Sequence, residues 1–290
     1  MDIEPVEPYP GQAGVEEPES PTCRDAVTPA EAISLPRMAE LRDVLEISLR
    51  AGQLLLENGA ETWRVEETVH RLGTALGAEW LDIYVTPTGI IISSIAAHEH
   101  RTRIRRVVGL GVDLSKVAAL VDLSRRAVLG QATRADVRDR LEQIAAAPRT
   151  YPLWLVVLLV AIACASFGVL SGGGLLEFVV TALAAGLGMV VRLWLNRIFA
   201  SPLLTAVISA LVASSTAILG GRLISCPRPD LAIVSSVLLL LPGVPMINAI
   251  GDLINGDLVS GLARGAQAAL VLAAVALGMV LGLALLGGRL

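Results

Sequence analysis

The second half of this chain consists of long apolar runs that are separated by short polar loops. A helix rises 1.5 Å per residue, so it needs about 20 apolar residues to cross a hydrocarbon core roughly 30 Å thick. Five runs reach or approach this length, and they cover residues 153–170, 175–191, 202–221, 231–250 and 266–286. A soluble protein would need a large polar shell to bury them, and residues 151–290 supply none. We therefore predict an α-helical integral membrane protein with about five transmembrane helices.

The first half has a different composition, because charged residues recur throughout it and become rare after Leu153. Over the whole chain 54% of residues are hydrophobic and 17% are charged, which is too apolar for an ordinary soluble protein of this length. The change in composition falls between Pro148 and Pro152. We expect a soluble domain at residues 37–150 and a transmembrane domain at residues 151–290.

Residues 1–36 form a tail with eight acidic residues, seven prolines and one basic residue, Arg24. It has no periodic apolar pattern, so it cannot bury enough surface to offset the entropy that ordering would cost. It also lacks the basic start and the apolar core of a secretory signal. We predict that the tail is disordered and that the domain after it stays in the cytoplasm.

The soluble domain carries the patterns of an α+β fold. Apolar residues recur at helical spacing over residues 41–49 and 65–76, with a break at Asn58-Gly59. Three short segments within residues 81–108 are β-rich or alternate between apolar and polar residues, which predicts three antiparallel strands. Two more helices follow, each after a residue that can cap a helix. The prediction is an N-terminal cytoplasmic α+β domain whose helices flank a sheet.

Signals for catalysis or for cofactor binding are weak. The segment His98–His100 has two histidines but no further ligands for a metal, so we interpret it as a polar segment. Residues 109–111 begin like a dinucleotide loop, but Leu114 stands where the third glycine belongs, and Lys116 is not in a glycine loop. The basic segment Arg101–Arg106 is typical of a solvated strand face, with anionic lipid or nucleic acid as the alternative. We expect no enzyme activity, cofactor, metal or nucleic-acid partner.

Arginine residues are unevenly distributed between the two ends of the predicted spans. Seven precede the first span or lie in the second and fourth loops, and these are Arg134, Arg138, Arg140, Arg149, Arg192, Arg197 and Arg264. Three lie on the opposite side, and these are Arg222, Arg228 and Arg289. Because loops rich in Lys and Arg remain in the cytoplasm, this distribution puts the N-terminal domain inside and Leu290 outside.

The fourth predicted span is irregular, because Pro242, Gly243 and Pro245 interrupt an apolar run. A proline inside a helix removes one backbone bond, so we expect the carbonyls of Leu238 and Leu241 to be released. Broken helices of this kind often frame the binding sites of transporters. A kink without a function is the alternative.

Polar residues follow the break. Asn248, Asp252 and Asn255 are spaced i, i+4 and i+7, which puts them on one helix face. Glu177 lies two residues into the second span, where a structural role is as reasonable as a functional one. Together with Pro242, Gly243 and Pro245, these residues are our predicted substrate or coupling pathway. An ordinary polar helix end at the membrane surface is the alternative, and we expect it to apply to Asp257, which follows this face, and then to Asn255.

Four motifs resemble the threonine/serine exporter family (ThrE-like). They are LLENGAETWRVE at residues 55–66, VTPTGI at 85–90, LPGVPMINAI at 241–250 and DLINGDLVSG at 252–261. The resemblance covers the chain from about Met38 to its end. In the soluble domain it singles out Glu57, Asn58, Gly59, Glu61, Arg64, Glu66, Thr86 and Thr88.

The resemblance implies a multi-pass protein of a prokaryotic cytoplasmic membrane that exports small polar metabolites. Long family members carry a second membrane half, whereas split members make that half as a separate small protein. This chain stops after its fifth predicted span, so it looks like one subunit of a split exporter, with that small membrane subunit, a second copy of itself, or both as partners. Threonine and serine are the expected substrates and dicarboxylates such as succinate the alternative. We expect proton coupling; a membrane-anchored regulator or scaffold stays open.

Overall fold

The structure is a computed structural model, and it describes residues 35–96, 99–109, 111–148, 151–198 and 201–286. Residues 1–34 of the predicted disordered tail therefore lie outside the described residues. His98 of the polar segment also lies outside them. The described chain forms an α+β domain followed by a helical domain.

The described residues of the α+β domain form four helices and one sheet. Its elements are α1 (Leu35–Glu57), α2 (Thr62–Ala75), β1 (Leu81–Thr86), β2 (Gly89–Ala96), β3 (Glu99–Arg106), α3 (Leu114–Val128) and α4 (Arg134–Ala146). Leu55 of α1, Val65 of α2 and Ile90 of β2 are fully buried in its core. Asp113 caps α3, and Thr133 forms a reciprocal capping box with Asp136 at the start of α4, as predicted.

The sheet has the order β1-β2-β3, and both pairs of strands are antiparallel, as the sequence predicts. Ile90 and Ile92 point into the core, while Tyr84 and Ile104 lie on the outer face and are exposed. The helices therefore cover one face of the sheet and leave the other open.

The described residues of the helical domain form six α-helices. They are α5 (Leu153–Leu170), α6 (Leu175–Ile198), α7 (Pro202–Ile224), α8 (Pro229–Ser236), α9 (Gly243–Ile254) and α10 (Leu258–Leu285). Among the described residues, four of these are long and apolar enough to cross a membrane, namely α5, α6, α7 and α10. The helix α10 begins eight residues before the predicted fifth span, so Arg264, which we had counted as a loop residue, lies inside it.

The fourth predicted span is not one helix. The 8-residue α8 and the 12-residue α9 are joined by a 3-10 turn at Leu238–Leu240, and α9 begins directly after Pro242. As a pair they run from one end of the helical domain to the other. Arg228, at the start of α8, contacts Gly172 in the α5–α6 turn, whereas Asn248 of α9 contacts Gly59 of the α+β domain.

The expectation that two carbonyls are released at this break was wrong. The carbonyl of Leu238 accepts a bond from the N–H of Leu241 at 3.2 Å, and the carbonyl of Leu241 accepts one from Gly243 at 2.9 Å. A 3-10 turn and a three-residue turn around Pro242 replace the α-helical bonds, so the backbone stays satisfied. Pro242 and Pro245 stand at the N-cap and in the first turn of α9, where a missing N–H costs no helical bond.

Small residues bring the helices of this domain unusually close together. A Cβ atom added at Gly278 of α10 would lie 2.3 Å from the carbonyl oxygen of Val207 on α7. A Cβ atom added at Gly188 of α6 would lie 2.8 Å from the Cβ atom of Ala213 on α7. The helix α7 is therefore held between α6 and α10 by contacts that only small residues permit.

Candidate functional site

The candidate site lies where the turn between α1 and α2 meets α9 and α10. The turn follows the break predicted at Asn58-Gly59. Gly59 adopts φ of +87°, and a Cβ atom there would come within 3.0 Å of the carbonyl oxygen of Gly111. A residue other than glycine would be strained in this conformation. The turn therefore presents the carbonyls of Gly59 and Ala60 and the start of α2 to the helical domain.

Asp252 of α9 is the centre of the site, and its side chain is completely buried. One of its carboxylate oxygens accepts a bond from the backbone N–H of Thr62 at 3.0 Å. The other accepts a bond from the Thr62 hydroxyl at 3.1 Å and lies 3.3 Å from Nε of Arg264. Two donors thus come from the α+β domain and one from α10.

Further side chains of the helical domain bind backbone carbonyls of the α+β domain. Arg264 donates to the carbonyl of Ala60 at 3.1 Å, and Asn248 donates to that of Gly59 at 2.8 Å. Ser260, near the start of α10, donates to the carbonyl of Val85 at 3.3 Å. We call this contact, made by Asn248, Asp252, Ser260 and Arg264 with residues 59–62 and Val85, the junction.

The energetics of the Asp252–Arg264 pair follow from its burial. The Arg264 side chain is 9% exposed and that of Asp252 is not exposed at all. Desolvating two charges is costly, so such a pair adds little net stability, but removing one partner typically costs about 3–5 kcal/mol because it strands the other charge. The Thr62 donors and the Ala60 carbonyl supply the additional hydrogen bonds that a buried pair needs. The junction is therefore sensitive to loss of any one member.

Two further carboxyl groups lie beside Asp252. Glu66 is one helical turn after Thr62 on the same face of α2, and Asp257 precedes α10 and donates its backbone N–H to the carbonyl of Asp252. Burial, and then the neighbouring charge of Asp257, raise the pKa of Glu66, although a bond from the N–H of Val85 opposes this. Burial, and then the charge of Asp252, raise the pKa of Asp257. Both groups hold a proton more tightly than exposed carboxyls do.

Not all predicted site residues belong to the junction. Glu177 lies near the α5–α6 turn, where its carboxylate accepts bonds from the N–H groups of Gly174 at 2.8 Å and Arg228 at 3.1 Å. Asn255 ends α9 and is exposed, as the alternative of a polar helix end proposed. Pro242, Gly243 and Pro245 lie one to two turns before Asn248.

The motif residues of the α+β domain are similarly divided. Gly59, Glu61 and Glu66 lie at or beside the junction, and Glu61 pairs with Arg64 at 3.5 Å. Four others make local contacts. The backbone carbonyls of Glu57 and Asn58 bind the segment that leads into α3, Thr86 bonds across the β1–β2 turn, and Thr88 is exposed in that turn.

Sequence reasoning missed three of the five side chains that bond across the junction, namely Thr62, Ser260 and Arg264. A signal existed for two of them, because Thr62 and Ser260 stand inside the motifs quoted above. Arg264 is a single charge next to an apolar run, which we assigned to a loop. Buried charges in membrane helices usually have a partner, so this arginine could have been paired with Asp252.

A sequence profile of the family described as "Putative threonine/serine exporter" matches residues 46–286. This chain belongs to the threonine/serine exporter family. The match includes all four motifs on which the resemblance was based, and so confirms it. It also includes every residue of the junction.

Two relatives, each named "Probable succinate transporter subunit YjjP", match over almost their whole length. The protein of Klebsiella aerogenes is 34% identical over 255 residues, which are 87% of this chain and 97% of that protein. The protein of Escherichia coli (strain K12) is 32% identical over 255 residues, 86% of this chain and 96% of the relative.

A third relative is longer. The "Probable threonine/serine exporter" of Mycobacterium tuberculosis is 25% identical over 244 residues, which are 83% of this chain but 46% of that protein. No protein of solved structure matches this chain.

Proposed function

We propose that this chain is one subunit of a secondary exporter of small polar metabolites in the cytoplasmic membrane of a prokaryote. The observation that carries this proposal is the match in length. The chain matches 97% and 96% of the length of two proteins named transporter subunits, but 46% of the length of a protein named as an exporter. A small membrane protein would supply the second half, and further copies of this chain can join the assembly.

Two classes of substrate are candidates. The two relatives that match over almost their whole length are named for succinate, and this favours export of a dicarboxylate. The family description and the relative from Mycobacterium tuberculosis favour threonine and serine, the substrates expected from the sequence. All of these molecules carry at least one carboxylate group.

We further propose that the chain crosses the membrane five times, with its N-terminus in the cytoplasm. Four crossings are the long helices, and α8 with α9 together form the fifth. Support comes from Arg228 and Asn248, which contact opposite ends of the helical domain. The arginine distribution favours the cytoplasm for the α+β domain. Reporter fusions at both ends would contradict five crossings if they reported the same side.

The substrate pathway is proposed to follow α9, from the break at Pro242 to the face of Asn248 and Asp252. A polar face on a broken helix is a common place for transporter sites. Proton coupling is proposed because the sequence carries no phosphate-binding loop and because Glu66 and Asp257 bind protons more tightly than exposed carboxyls. Glu177, near the α5–α6 turn, and Asn255, exposed at the end of α9, are not included.

Efflux of labelled succinate, threonine and serine tests the proposal in cells that lack their own exporters of these compounds. The chain is expressed with an empty vector, the small membrane partner is expressed without the chain, and the two proteins are expressed together. We expect efflux of one of the two substrate classes, and we expect it only when both proteins are present. Full transport by the chain alone would contradict the need for a partner. No response to any compound would favour a regulator or scaffold.

A further inference from the structure

The donors around Asp252 have the composition of a carboxylate-binding site. Thr62 contributes its N–H and its hydroxyl, and it is the first residue of α2, where the helix dipole favours an anion. Arg264 contributes a guanidinium group, and both residues are more than nine-tenths buried. The occupant is a carboxylate of the protein itself. The structure therefore contains a built site for this group, assembled from both domains.

Occupation by Asp252 also locks the domains together. The α+β domain cannot move away from α9 unless the Asp252 carboxylate leaves Thr62, because the two are bonded directly. Asn248 and Arg264 add bonds to the same turn, at Gly59 and Ala60. Release of Asp252 from Thr62 is therefore a necessary step in any opening of the junction.

Asp252 lies among other charged groups at the junction. Arg264 faces the carboxylates of Asp252, Glu61 and Asp257, and Asp257 in turn faces Asp252. Like charges at close range destabilise one another, so Asp252 is held by its donors against repulsion from its neighbours. When Asp252 leaves and another carboxylate takes its place, Arg264 still has one negative charge beside it.

We propose that the carboxylate group of the exported molecule replaces Asp252 at Thr62 and Arg264, and that this exchange opens the junction. This inference rests on the proposed function, since succinate, threonine and serine share this one group. It identifies the ligand class of the site as carboxylates. It also gives the α+β domain a role as the part that closes over the end of α9.

The first test empties the site in the purified full-length chain. Asp252→Ala removes the internal carboxylate and leaves the donors of Thr62 and Arg264 in place. We expect sodium acetate to raise the melting temperature of this variant by several degrees relative to sodium chloride, because a bound ligand stabilises the folded state. The double variant Asp252→Ala with Arg264→Gln should have the same melting temperature in both salts. Equal melting temperatures of Asp252→Ala in the two salts would overturn the proposal.

The second test uses the parental chain, so it stands even if Asp252→Ala fails to fold. Hydrogen exchange is measured at the amides of residues 59–62 with succinate, threonine, serine or succinamide, the neutral diamide that matches succinate in shape. We expect at least one of the carboxylates to speed exchange in this turn about tenfold or more, and succinamide to leave it unchanged. Unchanged exchange with every carboxylate would overturn the proposal.

These binding tests are independent of transport. If carboxylates bind at the junction but no compound is exported, the site is supported and the proposed function fails. If export is normal but neither acetate nor any candidate substrate affects the junction, the function stands and the site is refuted.

Discussion

Asp252 of α9 accepts two hydrogen bonds from Thr62 of α2, although 190 residues separate them in the chain. The two motifs that contain these residues looked independent in the sequence, one in the soluble domain and one just after the fourth predicted span. The structure makes them two sides of one buried contact. Variants on either side should therefore produce similar defects.

Thr62→Val is expected to weaken the junction, because it keeps the shape of the side chain but removes the hydroxyl donor to Asp252. The carboxylate oxygen that loses this bond keeps Arg264 as a partner, and a hydrogen bond to a charged group contributes about 1.5–3 kcal/mol. Thermal unfolding of the purified chain in detergent should show a lower melting temperature. Thr62→Ser retains the hydroxyl and is the matched control. A Thr62→Val melting temperature equal to that of Thr62→Ser would mean that the hydroxyl contributes nothing.

Asp252→Asn should slow export about tenfold or more, which corresponds to roughly 1.4 kcal/mol in the barrier. The change keeps the shape of the side chain but removes the charge that pairs with Arg264. Initial rates of efflux, corrected for membrane abundance, are the measurement. Asp122→Asn breaks an exposed pair with Arg126 on α3 and should have little effect. If Asp252→Asn exports at the parental rate, Asp252 takes no part in the transport cycle.

The sequence predicted local structure well where a local pattern determines it. The antiparallel strands, the capping box of Thr133 and Asp136 and the break after Asn58 all depend on neighbouring residues. The junction could not be predicted in this way, because no periodicity links Thr62 to Asp252. Prediction also failed at Leu238, because counting i to i−4 bonds assumes a continuous helix, whereas the chain uses tighter turns there.

Stability should depend on pH through Glu66. Its pKa is raised in the folded protein above the ordinary value of 4.5, chiefly by burial and by Asp257, while Asp252 adds to the effect. Between 4.5 and the raised value the folded protein binds more protons than the unfolded chain, so the free energy of unfolding falls as pH rises through this window.

Glu66→Gln should flatten that decrease, measured as melting temperature against pH. Part of the slope should remain, because the pKa of Asp257 is also raised above its ordinary value of 3.8, by burial and then by Asp252, against the opposing effect of Arg264. Glu67→Gln, on the same helix but paired with Arg71, is the control and should retain the parental slope. An unchanged slope in Glu66→Gln would show that another group causes the dependence.

Glu177→Gln should lower stability without changing the preference between substrates. The Glu177 carboxylate accepts the N–H groups of Gly174 and Arg228, and so ties the start of α6 to the start of α8. An amide has one acceptor oxygen instead of two, so one of these bonds is lost. We expect a lower melting temperature and an unchanged ratio of succinate to threonine efflux. A changed ratio would return Glu177 to the substrate pathway.

The two prolines before and within α9 should differ in their effects. Pro245 lies in the first turn, where helix N–H groups have no partner within the helix, so Pro245→Ala should leave efflux close to the parental rate. Pro242 adopts a non-helical ψ of 65° and separates α9 from the 3-10 turn that follows α8. In Pro242→Ala the new N–H can bond to the carbonyl of Leu238, which favours one continuous helix and would shift α9 relative to Thr62. Efflux should then fall several-fold, with faster hydrogen exchange at residues 59–62, while Pro245→Ala serves as the matched control. Equal effects of the two substitutions would mean that the break has no special role and that only the polar face of α9 matters.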